Sequence, residues 1–197
     1  MNIKQISKFT IGTLIITLGV TLLLLSNFGS GAIDAFNNNT SILVGITVGT
    51  CIIITNAIMF VMNMILDTKK SHFISLLLAL LLGIFIDFWF TVIPVYESFM
   101  MATIYFIIGL MLLPLGLALT IRSNCPINPY DTLVLILVRK TNLSVSVIKT
   151  ITEITFTILA IISGYLAGIG FGSISFGTIL IAFYIGPALQ FSLKYIK

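Results

Sequence analysis

The chain has 197 residues, of which 58% are hydrophobic and 8% charged, against roughly 45–50% and 25% in an ordinary soluble domain. A mean hydropathy of +1.19, with no polar stretch long enough to fold alone, excludes a soluble catalytic or nucleic-acid-binding domain and predicts an all-α polytopic membrane protein whose first partner is the lipid bilayer. The net charge of +4 reports orientation in such a chain, and no basic run with interleaved aromatics points to nucleic acid.

A membrane helix takes about 20 apolar residues, so one transmembrane domain over 1–197 has room for about six spans. In chain order the runs are Thr10 to Asn27, Ile42 to Leu66, Phe73 to Val95, Phe99 to Ile121, Ser144 to Ala167 and Ser173 to Leu193. The first, behind Lys4 and Lys8 and followed by Ser30-Gly31-Ala32, has the look of a signal peptide; the repeat described below predicts a retained helix instead. Between the first two runs lies a polar, glycine-containing stretch, Phe28 to Thr40. Its counterpart is Arg122 to Asp131, followed by a short apolar run, Thr132 to Val138. As a helix that run is only about 10 Å long, against a hydrocarbon thickness of roughly 30 Å. Residues 28–40 and 123–143 are therefore expected as re-entrant or surface segments.

With a cytoplasmic N-terminus and six spans, all ten basic residues fall inside: Lys4, Lys8, Lys69, Lys70, Arg122, Arg139, Lys140, Lys149, Lys194 and Lys197. The outer connections then hold Asp34, Asp87 and Glu97 and no Lys or Arg. The expected location is the cytoplasmic membrane, multi-pass, with both termini in the cytoplasm.

At an offset of 97 the sequence matches itself at Gly12/Gly109, Gly19/Gly116, Ser26/Ser123, Asn27/Asn124 and Asp34/Asp131. Two halves follow, about 10–95 and about 99–193, each with three spans. An odd number of spans sends them into the membrane from opposite sides, as a 3+3 inverted-topology repeat with short or re-entrant segments after the first span of each half. The Gly-containing span, Pro126-Ile-Asn-Pro129-Tyr-Asp131, Gly177-Thr178 and Gly186-Pro187 together resemble the YczE/YyaS/YitT family of bacterial integral membrane proteins. That resemblance implies a bacterial membrane protein of poorly defined role, usually taken for a transporter. Asn128 and Tyr130 depart from the Gly or Trp expected there, and the first half lacks the prolines.

An ionisable group within a span costs from about 3 kcal/mol upward, so each one is a candidate for function. Glu153 lies ten residues into the fifth run, near the midplane, and Ser146, Lys149, Thr150, Thr157, Ala160 and Gly164 put small or polar residues on its face. Lys149, one turn away, pairs with it or snorkels to the interface. Such a pair either fixes packing or lets Glu153 take a proton, a cation or a basic substrate group. Asp34 and Asp131 are expected as helix N-caps; a capped half-helix also presents its positive end to an anion. Asn27 and Asn124 complete a substrate- or ion-binding set with Glu153, Lys149, Asn124, Asp131, Asn27 and Asp34 as members.

Asn56 and Asn63 share a face with Met59 and are expected in interhelical hydrogen bonds. Asp87 is expected at the outer boundary beside Trp89 as an aromatic-belt residue, with an acid lining a gate as the alternative. Gly45/Gly49, Gly164/Gly168, Gly12/Gly19 and Gly109/Gly116 read as packing faces, and Cys51 and Cys125 as free thiols.

One histidine, His72, and the absence of a phosphate-binding Gly-x-x-x-x-Gly-Lys loop argue against an enzyme or a self-powered pump; no cofactor and no metal are implied. The expected function is a small-solute membrane transporter, secondary or facilitative, working by alternating access on a small molecule or ion that the sequence does not identify. The alternatives are a membrane-embedded accessory or substrate-capture subunit acting with a partner membrane or cytoplasmic protein, and a purely structural protein. A homodimer is compatible with any of these.

Overall fold

The computed structural model describes residues 3–67, 72–96, 98–123, 125 and 128–195. Those residues form eight helices: α1 (Ile3–Ser26), α2 (Ala32–Val44), α3 (Val48–Leu66), α4 (His72–Val92), α5 (Phe99–Arg122), α6 (Pro129–Thr141), α7 (Val145–Leu166) and α8 (Phe176–Tyr195). Six of these, all but α2 and α6, are long and apolar enough to cross a membrane. α2 and α6 have 13 residues each, about 20 Å of helix, and are too short.

The sequence reading misplaced the second span. The run from Ile42 to Leu66 is broken at residues 45–47, where Gly45, at φ 76°, ends α2 in the left-handed conformation and Thr47 accepts a hydrogen bond from Thr50 N at 3.1 Å to start α3. The stretch Phe28 to Thr40, read as a polar connection, is helical from Ala32 because its amides find tertiary partners: Asn37 Oδ1 accepts from Thr55 Oγ1 at 2.7 Å. The short run at Thr132 to Val138 likewise extends to Pro129–Thr141. Pro129 sits at the first helical position, where its missing N–H costs nothing.

Several of these boundaries recur 97 residues further along the chain. α2 and α6 begin 97 residues apart, at Ala32 and Pro129, as do α3 and α7, at Val48 and Val145. Asn142, at φ 57°, ends α6 as Gly45 ends α2, and Ser144 caps α7 as Thr47 caps α3, accepting from Val147 N at 3.3 Å. Ser26 Oγ donates to Leu23 O, and Ser123 Oγ to Thr120 O, both at 2.6 Å.

α1 and α5 run antiparallel through the centre, in close contact. Gly12 lies against Gly116 and Thr120, and Gly19 against Gly109; a Cβ on Gly109 would stand 2.9 Å from Gly19 O. These pairs are the packing faces expected, since membrane helices are held by close backbone approach rather than by exclusion from water. α4 packs on α1 and α8 on α5, while α2 lies on α7 and α6 on α3. One cluster, including Val20, Leu23, Ile52, Ile86, Phe106 and Ile181, joins α1, α3, α4, α5 and α8. α3 also packs along α4 through Gly49 and Gly83; among the described residues, α7 and α8 have no contact of that extent.

Two glycine readings are corrected. Gly45 and Gly168 adopt positive φ, 76° and 75°, and serve as helix ends rather than packing faces. Gly49 and Gly164 do pack, Gly164 beneath the carbonyl of Gly170 and against Asn39. Cys51, buried, and Cys125, partly buried, are free thiols.

Candidate functional site

The first turns of both short helices converge on α7. One packed cluster contains Ala32 of α2, Tyr130 and Val134 of α6, and Ile148 and Phe156 of α7, with Phe36 and Met59 against it. The Phe156 ring contacts both Phe36 and Tyr130, with centroids 5.7 and 5.8 Å apart. This packing carries Asp34, Tyr130 and Asp131 to the neighbourhood of Glu153.

The polar contacts there are specific. Tyr130 Oη lies 3.1 Å from Thr152 Oγ1 and 3.4 Å from Glu153 Oε1. Thr152 donates its own proton to Lys149 O at 2.8 Å, so the single phenolic proton has two acceptors to serve. Glu153 thus holds a long, shared hydrogen bond. Lys149 is exposed on this chain and acts electrostatically on both Asp131 and Glu153, but makes no ion pair within 4.0 Å among the described residues. Of the two arrangements expected for Lys149, pairing or snorkelling, the pair with Glu153 is not formed, and Glu153 meets the Tyr130 phenol instead. The reason is that α6 places Tyr130 against Glu153 from the side.

Neither Asp34 nor Asp131 is an N-cap. The cap of α6 is Asn128, whose Oδ1 accepts from Asp131 N at 2.8 Å; that of α2 is Gly31, with no side-chain cap. Each Asp stands in the first turn, where a negative charge meets the helix's positive end. Burial, and after it the nearby Glu153, push the Asp34 carboxyl up to about 7. Burial raises Asp131 as well, against the opposing pull of Lys149 and Asn128. Three carboxyl groups, Asp34, Asp131 and Glu153, thus share this cluster with one ammonium, Lys149.

Of the remaining predicted positions, one is described. Asn27 is exposed, at φ 56° where the chain leaves α1, and its N–H bonds back to Leu24 O at 3.3 Å; it shapes a helix end and does not join the cluster. Asn124 lies outside the described residues, as do Lys69, Lys70, Glu97, Pro126 and Lys197. On α7, Ser146 and Thr150 are exposed, and the buried stripe is Ile148, Phe156, Ala160, Ser163 and Gly164. Ala160 and Gly164 of the expected face do meet α2, through Asn39, and Phe156 adds aromatic contacts with Phe36 of α2 and Tyr130 of α6.

Asn63 does bond between helices, Nδ2 donating to Pro129 O at 2.8 Å, whereas Asn56 Nδ2 turns back to Ile52 O of its own helix at 2.9 Å. Trp89 is not a belt residue: its Nε1 donates to Thr17 Oγ1 of α1 at 3.1 Å, inside the bundle. Sequence reasoning missed Tyr130 as the partner of Glu153, and Asn39, which holds the α7–α8 connection. Asn39 Nδ2 donates to Ala160 O at 2.8 Å and Phe171 O at 3.2 Å, and its Oδ1 accepts from Ser173 N at 2.9 Å. The run of three consecutive asparagines, Asn37 to Asn39, was the available signal.

Residues 3–194 match the family of unknown function DUF6198. The chain belongs to this family. YyaS, an uncharacterized protein of Bacillus subtilis strain 168, is 33% identical over 165 residues, 82% of each chain. YczE, an uncharacterized membrane protein of the same organism, is 30% identical over 183 residues, which is 92% of this chain and 82% of YczE. An uncharacterized protein of Haemophilus influenzae is 25% identical over 194 residues, 98% of this chain and 85% of the relative. The resemblance read from the prolines and terminal glycines stands, and with six apolar helices it makes this DUF6198 member a multi-pass membrane protein. No solved structure matches it.

Proposed function

We propose that this chain carries a small solute across the bacterial cytoplasmic membrane by alternating access, with no cofactor and no catalytic step of its own. Two three-span halves, about 10–95 and 99–193, oppose each other as an inverted repeat. The observation that carries the reading is the meeting of the first turns of α2 and α6, one from each half, at Glu153 of α7. Short helices ending at a mid-membrane ionisable group are how secondary transporters build a site from two repeats. The shared offset of caps and serines, and the antiparallel glycine contacts of α1 and α5, support the opposed halves. The ligand is a small molecule or ion, and the net acidity of the cluster favours one that brings positive charge or exchanges with a proton.

The test uses a Cys51→Ser/Cys125→Ser background with Ile46→Cys or Leu143→Cys, exposed positions that follow the ends of α2 and α6. In intact cells a membrane-impermeant maleimide should label position 46 and leave 143 unlabelled until the membrane is opened. Labelling of both, or of 143 alone, sinks the opposed halves and the alternating-access reading that depends on them.

A further inference from the structure

A groove of about 810 Å³ runs between α5 and α8, away from the carboxyl cluster, walled by Met111, Pro114 and Leu115 on one side and Phe183, Pro187 and Phe191 on the other. It exists because α8 packs on α5 but not extensively on α7, and because Pro187 and Ala188 leave little side chain to fill the space. Its lining on α8 extends from Phe176 to Ser192, about 24 Å of helix, comparable with the roughly 30 Å hydrocarbon thickness.

The groove is apolar along its walls and basic at one end. There Arg122 Nη2 donates to Leu193 O at 2.8 Å, tying the last turn of α5 to that of α8. This bond uses one of the five guanidinium donors, and Arg122 is exposed. Lys194 follows Leu193 and is also exposed. Lys8 comes in at the same end, because Gly12, one turn further along α1, lies against Gly116 and Thr120 of α5. α1, α5 and α8 contain no Asp or Glu. The Ser192 hydroxyl is spent on Ala188 O at 2.9 Å.

We infer that this groove holds an anionic phospholipid, with one acyl chain along the Pro114/Pro187 wall and the phosphodiester between Arg122 and Lys194. A basic end to an otherwise apolar cleft between membrane helices fits an acidic headgroup above a hydrocarbon tail, and no soluble anion would use the apolar length. The inference stands apart from the transport reading, since the groove shares no residue with the carboxyl cluster.

The experiment is native mass spectrometry of the detergent-purified full chain, equilibrated with equal amounts of palmitoyl-oleoyl phosphatidylglycerol and phosphatidylcholine. Wild type should retain phosphatidylglycerol preferentially. Arg122→Gln/Lys194→Gln should reduce that preference by about 30-fold, from about 1 kcal/mol per basic residue at an anionic surface. Ala188→Phe, which fills the groove and leaves the charges in place, should lower retention of both lipids. Should the double variant not purify, Lys194→Gln alone, at an exposed position, should lower the preference about 5-fold. Equal retention of the two lipids by wild type, an unchanged preference in the charge variant, or undiminished retention in Ala188→Phe overturns the proposal. So does a lipid-free dimer whose cross-links run through Phe183 and Phe191.

Discussion

Asp87 of α4 accepts a hydrogen bond from the backbone N–H of Gly49 in the first turn of α3, at 2.7 Å. Its other oxygen accepts from Thr47 Oγ1, the α3 cap, at 2.6 Å. A carboxylate on one helix thus completes the N-terminus of its neighbour, where unpaired N–H groups and the helix dipole both favour an anion. Asp87→Ala removes both acceptors, and we expect a loss of about 2–3 kcal/mol, in the range of charge-assisted hydrogen bonds. Thermal unfolding in detergent reads this as a fall of several degrees, with Asp87→Asn between the two. An unchanged midpoint in Asp87→Ala would show that the contact contributes nothing.

The antiparallel crossing of α1 and α5 makes a sharper demand on residue size. A Cβ at Gly109 would stand 2.8 Å from Leu23 Cγ and 2.9 Å from Gly19 O, whereas one at Gly186 meets nothing within 4 Å. Gly109→Leu should therefore push the two central helices apart and abolish monodisperse protein in size-exclusion chromatography, while Gly186→Ala should elute as wild type. Equal behaviour of the two variants would mean that the crossing tolerates a side chain.

How much of this was legible in the sequence follows from the range of the interactions. Span count and the glycine contacts could be read, because hydropathy and close packing leave a mark within one helix or at a fixed offset. The break at Gly45 could not, since residues 42–66 remain apolar across it and only a left-handed glycine with a threonine cap interrupts the helix. The site was partly visible. Glu153 announces itself as an acid within an apolar run and Asp34 through its match to Asp131 at the offset of 97, but Tyr130 is one aromatic among many, and its meeting with Glu153 depends on how α6 lies against α7. The role assigned to Trp89 rested on proximity to a span end, whereas its indole donates to Thr17 of α1; Asn27 was chosen by identity at a repeat position, and it stands at the end of α1 in the left-handed conformation.

Glu153→Gln tests the centre of the proposed site. Gln keeps the size and an acceptor for Tyr130, so the folded yield and melting temperature should stay near wild type while solute binding or flux is lost. Tyr130→Phe removes one long, shared hydrogen bond, and a loss of about 1 kcal/mol should appear as roughly a 5-fold weaker apparent affinity. Flux assays in proteoliposomes decide this. Full activity in Glu153→Gln would take that residue out of the mechanism.

Asn39 tests the connection between α7 and α8. It is fully buried, and its three hydrogen bonds to Ala160, Phe171 and Ser173 hold a segment containing three left-handed glycines, Gly168, Gly170 and Gly172. Asn39→Leu leaves those backbone groups without their partner. At about 1 kcal/mol for each bond the segment should open more often, read as faster limited proteolysis between residues 168 and 175 with the six spans intact. A protection pattern identical to wild type would show that the loop is held by other contacts.

Asp34 sets a pH dependence whose sign can be worked out. Its carboxyl, ordinarily titrating at 3.8, is pushed up to about 7 in the fold, by burial first and by Glu153 second. The folded chain therefore holds this proton more tightly than the unfolded chain does. Below pH 3.8 both states carry the proton and stability is at its full value; as pH rises from there through about 7 the unfolded state alone gives it up, and stability falls until both are ionised. In Asp34→Asn no such proton exists, so the melting temperature of wild type relative to this variant should decline between about pH 4 and 7 and level off above. Glu153→Gln, which removes the second cause, should move the upper end of that decline to lower pH. A wild-type-to-variant difference that stays constant across the range would show that Asp34 is ionised in the fold at neutral pH, and a proton would then have no place on the first turn of α2.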